Sequence, residues 1–180
     1  MAARHLFTAD PHFGHPQILK HSHRPFDTVD AMDAAILARF QATVGPKDDL
    51  WIVGDFAWSE EAGRRAFAQI PGRKHLVKGN HDFHPWVTKL AWDSVHDLVE
   101  VREQKQTFVL CHYPLVTWRG VRKGAVHLFG HVHQNWAGCK GAVNIGVDLW
   151  DFAPIDRPTA VAKAATLPPN PIWEQAEPGL

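Results

Sequence analysis

Short apolar runs alternate with longer amphipathic segments through the first half of the chain. Arg4 to Ala9 reads as a buried strand that stops at a polar cluster, Asp10-Pro11-His12-Phe13-Gly14-His15. From Thr28 to Val44, the residues Val29, Met32, Ala35, Ile36, Phe40 and Val44 recur at helical spacing. Asp27 or Thr28 is the candidate N-cap, and Gly45-Pro46 is the stop. Leu50 to Val53 is a second buried strand, ending at Gly54-Asp55. Ser59 to Ile70 predicts a second helix, capped by Ser59 and closed by Pro71-Gly72. His75 to Val77 is a third strand, ending at Gly79-Asn80-His81-Asp82. This alternation of helix and strand is the signature of βαβ units with a parallel core.

The second half changes character. Leu98 to Val101 and Thr107 to Cys111 read as paired strands around a charged turn, and Ala125 to Phe129 and Ala142 to Val147 as two more. No long helix separates them, so their order predicts a second sheet of antiparallel hairpins facing the first. Residues 166–180, with Pro168, Pro169, Pro171 and Pro178, are expected to form a Pro-rich tail after a single domain over residues 1–165.

Composition excludes several classes. The 180 residues carry 19 Lys+Arg against 19 Asp+Glu, a net charge of zero, so no general basic excess exists to hold nucleic acid or an anionic membrane. No apolar run approaches the roughly 20 residues that span a bilayer, and the first ten residues lack a signal-peptide core. Cys111 and Cys139 cannot build a disulfide framework, which makes a reducing cytoplasm the expected compartment. What stands out is histidine: there are 13 of them, in no tag or low-complexity tract.

Their positions carry the chemistry. Ligands of open α/β sheets bind beyond the carboxyl ends of the strands. Here Asp10 and His12 follow the first strand, Asp55 the second, and Asn80 and His81 the third. His112 and then His131 and His133 follow two strands of the second half. Each group alone has a packing explanation: Gly54-Asp55 is a common turn, Asn80 or Asp82 can cap a helix, and His131 and His133 can flank a strand end. Five strand ends all stopping at ligand-type residues are hard to produce by packing alone. Asp, Asn and His without thiolates suit Mn²⁺, Fe²⁺ or Zn²⁺. One ion uses about three or four ligands, so this many imply two ions, the arrangement that clamps the attacking and leaving oxygens of phosphoryl transfer. Asp55, the lone carboxylate between the clusters, is the natural bridge, one oxygen to each ion.

Asp10-x-His12, Gly54-Asp55, Gly79-Asn80-His81-Asp82, His112 and Gly130-His131-x-His133 together resemble the calcineurin-like metallophosphoesterases. The wording around them, Thr8 to His15, Arg24-Pro25-Phe26, His112-Tyr113-Pro114-Leu115 and Val143 to Asp148, is similar to a small bacterial and phage-type branch. The resemblance implies a four-layer α/β/β/α sandwich with two mixed sheets. It implies one metal on Asp10, His12, Asp55 and His133, and a second on Asp55, Asn80, His112 and His131. Manganese is the foremost candidate, with iron, zinc or nickel as alternatives. A water between the ions would attack phosphorus, with His81 as general acid and Asp82 orienting it. Pro11 fills a variable position and no motif ligand is replaced.

Beyond the motifs, His15 and Arg24 are candidates for binding phosphate oxygens. Asn144 and Asp148 are candidates for supporting ligand histidines, or for capping a turn. His21, His23, His84, His96 and His127 are assigned no catalytic role, and one or two of the eight Trp could stack a nucleobase. The expected function is hydrolysis of a small phosphate mono- or diester, nucleotides and cyclic nucleotides included. The alternatives are a non-catalytic metal-binding scaffold and a nuclease for short strands. Zero net charge weighs against the nuclease, and the intact His81 against the scaffold.

Overall fold

The computed structural model describes residues 3–176; the last four residues of the expected tail, Pro178 among them, lie outside the described residues. The first sheet is built from β1 (His5–Thr8), β2 (Asp49–Val53), β3 (Arg73–Val77), β4 (Ser94–His96) and β10 (Ile155–Asp156). The second is built from β5 (Leu98–Glu103), β6 (Gln106–Cys111), β7 (Val126–Phe129), β8 (Gly138–Cys139) and β9 (Ala142–Asn144). The helices are α1 (Ile18–His21), α2 (Val29–Thr43), α3 (Glu60–Gln69), α4 (Pro85–Thr88), α5 (Arg157–Thr166) and α6 (Trp173–Ala176).

The first sheet has the order β10-β1-β2-β3-β4, parallel except for β10 at its edge. Its strands are apolar on both faces because both faces are covered. Leu6, Leu50, Ile52 and Leu76 point toward Met32, Ile36 and Phe40 of α2 and Ala66 and Phe67 of α3. Phe7, Trp51, Val53 and Val77 point the other way, into a core shared with Val101, Phe108, Leu110, Leu128 and Val143 of the second sheet. The Phe7 and Phe108 rings, 4.9 Å apart, join the two sheets directly. Thr28, not Asp27, caps α2 by accepting the Ala31 N–H, and Ser59 caps α3 through the Ala62 N–H. Both helices end where the chain turns extended at Val44 and Ile70, just before the expected Gly-Pro and Pro-Gly stops.

The second sheet, ordered β5-β6-β7-β9-β8, is mixed and corrects the hairpin expectation. Only β5–β6 and β8–β9 pair antiparallel, whereas β6, β7 and β9 run parallel. The connections over residues 112–125 and 130–141 are long enough to carry the chain back before the next strand begins, as parallel pairing requires. The outer side of this sheet is covered by the returning loop, with Trp118 and Val121 packed against Val109, Phe129 and Ala142. Helix α5 adds Ala160 and Ala164 to the core between the sheets. The result is an α/β fold of two stacked mixed sheets flanked by helices. No helix among the described residues is long and apolar enough to cross a membrane.

One buried histidine belongs to this frame. His127 on β7 is fully buried; its Nδ1–H donates to the Val109 carbonyl at 2.9 Å, and its Nε2 accepts the Leu115 N–H at 3.1 Å. Burial pushes its pKa from 6.5 down to about 4, so the folded state holds it neutral. The unfolded chain binds the proton first, so the stability His127 contributes is complete above pH 6.5 and is lost as the pH falls toward 4. Between pH 7.5 and 4, the wild type should lose about 3 kcal/mol relative to His127→Gln, measured by urea unfolding at each pH. A difference that stays flat with pH would mean that His127 titrates normally.

Candidate metal centre

The candidate ligands come together at one rim because β1, β2 and β3 of the first sheet, and β6 and β7 of the second, all end there. Asp10, His12 and His133 offer ligand atoms within 4.8 Å of one another, and so do Asp10, Asp55 and His112. Asp10 therefore belongs to two convergent groups rather than the single one expected. Asp55 Oδ2 stands 3.5 Å from His12 Nε2 and 3.5 Å from His112 Nε2. Two ligands each about 2.1 Å from a common ion stand roughly 3 to 3.5 Å apart, so the separations fit a shared cation. Asp55 Oδ1 accepts the His81 N–H at 2.9 Å. Oδ2 is thus the Asp55 oxygen that faces both imidazoles.

The candidate histidines differ in what their ring nitrogens meet. His112 Nδ1 lies 3.0 Å from the Val53 carbonyl, while its Nε2 lies 3.1 Å from Asn80 Oδ1 and 3.5 Å from Asp55 Oδ2, so oxygens face both ring nitrogens. Asn80 Oδ1 is itself 3.0 Å from His131 Nδ1. His12 is buried with neither ring nitrogen hydrogen-bonded. Burial, with His133 and Arg24 nearby, holds it neutral by keeping its pKa well below the usual value. A buried imidazole with no partner costs free energy unless something accepts its lone pair. Burial likewise pushes the Asp10 carboxyl up to about 6. A cation at the rim would answer both, and these residues fit one.

The local backbone is strained where these side chains are aimed. Asp10, His12, Asp55, His131 and His133 all have left-handed φ, between 47° and 70°. For residues other than glycine this conformation is sparsely populated and clusters at functional sites. Two motif glycines have a steric reason. A Cβ on Gly54 would overlap the His112 ring, and one on Gly130 would come within 2.5 Å of Asp10 Oδ2.

Two expected roles change. Asp82 does not orient His81: its buried carboxylate accepts the N–H groups of Asp55, Phe56 and Gly79 at 2.8 to 3.0 Å. Arg24 has no donor left for a phosphate. Its Nε and Nη2 hold both Asp148 oxygens, Nη2 also holds the Asp10 carbonyl, and Nη1 holds the Pro11 carbonyl and Met32 Sδ. Asp148 in turn accepts from His133 Nδ1 at 2.9 Å, the contact that leaves Nε2 to face the centre. Asn144 reaches the same histidine only through its backbone, donating to the carbonyls of His133 and Trp136.

A cavity of about 430 Å³ opens beside the centre, lined by His12, His15, Ile18, Trp58, His81 and His133 among others. His15 Nδ1 accepts the Ile18 N–H at 2.9 Å, which leaves Nε2–H as a donor. Burial pushes the His15 pKa down to about 4, so this donor is neutral. The His81 ring is one-third exposed, with Nε2 3.9 Å from Asp55 Oδ2. Trp58 and Tyr113 were given no individual role by their sequence positions. Trp58 packs edge-on to His15 at 4.3 Å, and Tyr113 lies 4.8 Å from His131. The available signal was adjacency: each follows a candidate ligand within three residues.

Fold and site together define an α/β sandwich with a candidate metal centre at the shared strand ends. No protein-family model matches the chain. It is 26% identical over 182 residues to the Gene 66 protein of Mycobacterium phage L5, covering 80% of this chain and 86% of that protein. Among solved structures it is similar to AQ665 from Aquifex aeolicus, a protein of unknown function. The TM-score is 0.73 at 27% identity, over 87% of this chain and 97% of that one. A looser likeness, with a TM-score of 0.44 and 16% identity over 86% of this chain and 82% of the other, is to YfcE, a phosphoesterase from E. coli. At that score the likeness carries no functional weight.

Asp148→Asn keeps the shape of the His133 partner and removes its charge. It should weaken Mn²⁺ binding roughly 10- to 100-fold in calorimetric titration of the folded variant. Unchanged affinity would remove the Asp148–His133 contact from any part in metal binding.

Proposed function

We propose that this chain is a metal-dependent phosphoesterase of the calcineurin-like type, using two divalent ions to hydrolyse a small phosphate mono- or diester. The observation that carries the reading is the convergence on Asp55 Oδ2: two buried imidazoles, His12 and His112, each bring Nε2 to 3.5 Å from this one carboxylate oxygen, and His12 has no hydrogen-bond partner. Asp10, His12, Asp55 and His133 would hold one ion, and Asp55, Asn80, His112 and His131 the other. When bound, such ions polarise the phosphoryl oxygens and lower the pKa of water toward neutrality.

The chain's own residues supply the rest. His15 Nε2–H, neutral and fixed by the Ile18 contact, donates to a phosphoryl oxygen. His81, one-third exposed on the cavity wall, gives its proton to the leaving oxygen. As the bond from the attacking water oxygen to phosphorus forms, the ester P–O bond breaks, and that proton completes the departing alcohol. Asp82 and Arg24 act at one remove, holding the loops that carry Asp55, Asp10 and His133. With two divalent ions against Asp10 and Asp55, the occupied centre carries about +2, enough to draw an anionic ester to a protein of zero net charge.

The test is turnover of bis-p-nitrophenyl phosphate and p-nitrophenyl phosphate with Mn²⁺, Fe²⁺, Zn²⁺ or Ni²⁺ added to chelator-stripped protein. Hydrolysis of one or both, abolished by chelation, is expected. Metal bound stoichiometrically with neither ester cut would sink the enzyme reading in favour of a scaffold. His81→Ala should lower turnover roughly 10²- to 10⁴-fold while both ions remain bound. Loss of an ion instead would make His81 a ligand.

A further inference from the structure

The described residues carry four exposed aromatic side chains, Trp58, Phe83, Tyr113 and Trp136. Each follows a candidate ligand or His81 within three residues. Exposure scattered by chance would not keep to the loops of one rim. Of the four, only Trp58 lines the cavity beside the centre. It is 47% exposed, and its ring lies 4.3 Å from His15 and 5.5 Å from His81. Large indoles left half in water next to a polar pocket mark contact surfaces, because burying that face against a flat partner is favourable.

We propose that Trp58 is the stacking surface for a nucleobase, and that the substrate is a nucleoside phosphate ester whose nucleoside occupies this cavity. The proposal rests on the phosphoesterase reading and extends it to substrate class. His81 sits on the same wall as Trp58, so the departing alcohol leaves on the indole side. The ring contacts of Trp58 are with His15 and His81. These two in turn meet His12, which lies 5.2 Å from His15 and 5.4 Å from His81. An imidazole therefore stands between the candidate ligand His12 and the indole, and a ribose between phosphate and base would span that step. A simple aryl ester has no sugar to span it. The cavity, about 430 Å³, has the size of small-ligand pockets and admits one nucleoside rather than a folded partner. Gln17 and His21 line it too and offer polar groups to the edge of a base.

The first test needs neither metal nor turnover. In ¹⁵N-labelled protein the Trp58 indole N–H signal is identified by its absence from Trp58→Phe. Adenosine should shift it at millimolar concentration, whereas ribose should not. No shift with adenosine, or an equal shift with ribose, overturns the proposal. The second test compares kcat/KM for adenosine 5′-monophosphate with that for ribose 5-phosphate and p-nitrophenyl phosphate. A parallel arm replaces the monophosphate with a diadenosine dinucleotide, which separates a free nucleotide from the end of a strand. The wild type should favour one adenosine ester over both controls by roughly 10- to 100-fold, the range of one base stacked on an aromatic ring. Trp58→Ala should collapse that ratio and Trp58→Phe should keep most of it; a ratio unchanged in Trp58→Ala overturns the assignment. If nothing is hydrolysed, the phosphoesterase reading fails, while the indole signal still decides whether a nucleoside stacks there.

Discussion

The site depends on backbone N–H groups that reach buried carboxylates across loops from different strands. Asp10, after β1, is held by the N–H of His131, after β7. Asp55, after β2, takes the N–H of His81, after β3, and Asp82 returns the tie by accepting from Asp55, Phe56 and Gly79. A buried carboxylate without such donors would neutralise or leave the interior. With them, three acidic groups lie at one rim, and each bond fixes the loop that carries the next candidate ligand. Fold and site are therefore one construction: parallel strands deliver the loops, and the carboxylates lock them together.

That locking explains why strain is tolerated there. Left-handed φ at five candidate ligands costs free energy at each position. The cost is met by the core on either side, where Phe7, Phe13, Phe40, Phe56, Phe108 and Phe129 are fully buried. The Arg24–Asp148 pair does similar work on the far side. Because Arg24 also holds the carbonyls of Asp10 and Pro11, it couples the loop after β1 to the ring of His133. A buried ion pair is weak evidence for stability in itself, but here it sets the orientation of two loops that must agree.

The strand ends were legible because an apolar run that stops at Asp, Asn or His is a local signal, and helices α2 and α3 because their caps are local too. The rest was hidden for physical reasons. Arg24 and Asp148 are joined across nearly the whole chain, and no local pattern distinguishes a guanidinium spent on carbonyls from one offered to a phosphate. Asp82 sits in the motif beside His81, yet its orientation is set by loops that only tertiary structure brings near. Strand β4 was missed because Ser94-Val95-His96 is short and mostly polar, and its parallel partner β3 lies across α4. The parallel core of the second sheet depends on where long loops return, which alternation along a strand does not encode.

Two protonation states at the rim are also tertiary facts, and they bear on selectivity. His12 and His15 are both held neutral by burial, one with neither ring nitrogen hydrogen-bonded and the other with its N–H presented to the cavity. Two imidazolium ions beside the same centre would repel any cation brought there, so neutrality is a condition for metal binding rather than an accident of burial. In the proposed reaction His15 would give a hydrogen bond without adding charge, leaving the attraction for an anionic ester to the ions. Such an arrangement would separate holding the metal from holding the phosphate with identical side chains. The difference lies in the backbone: the Ile18 N–H claims one nitrogen of His15, and nothing claims either nitrogen of His12.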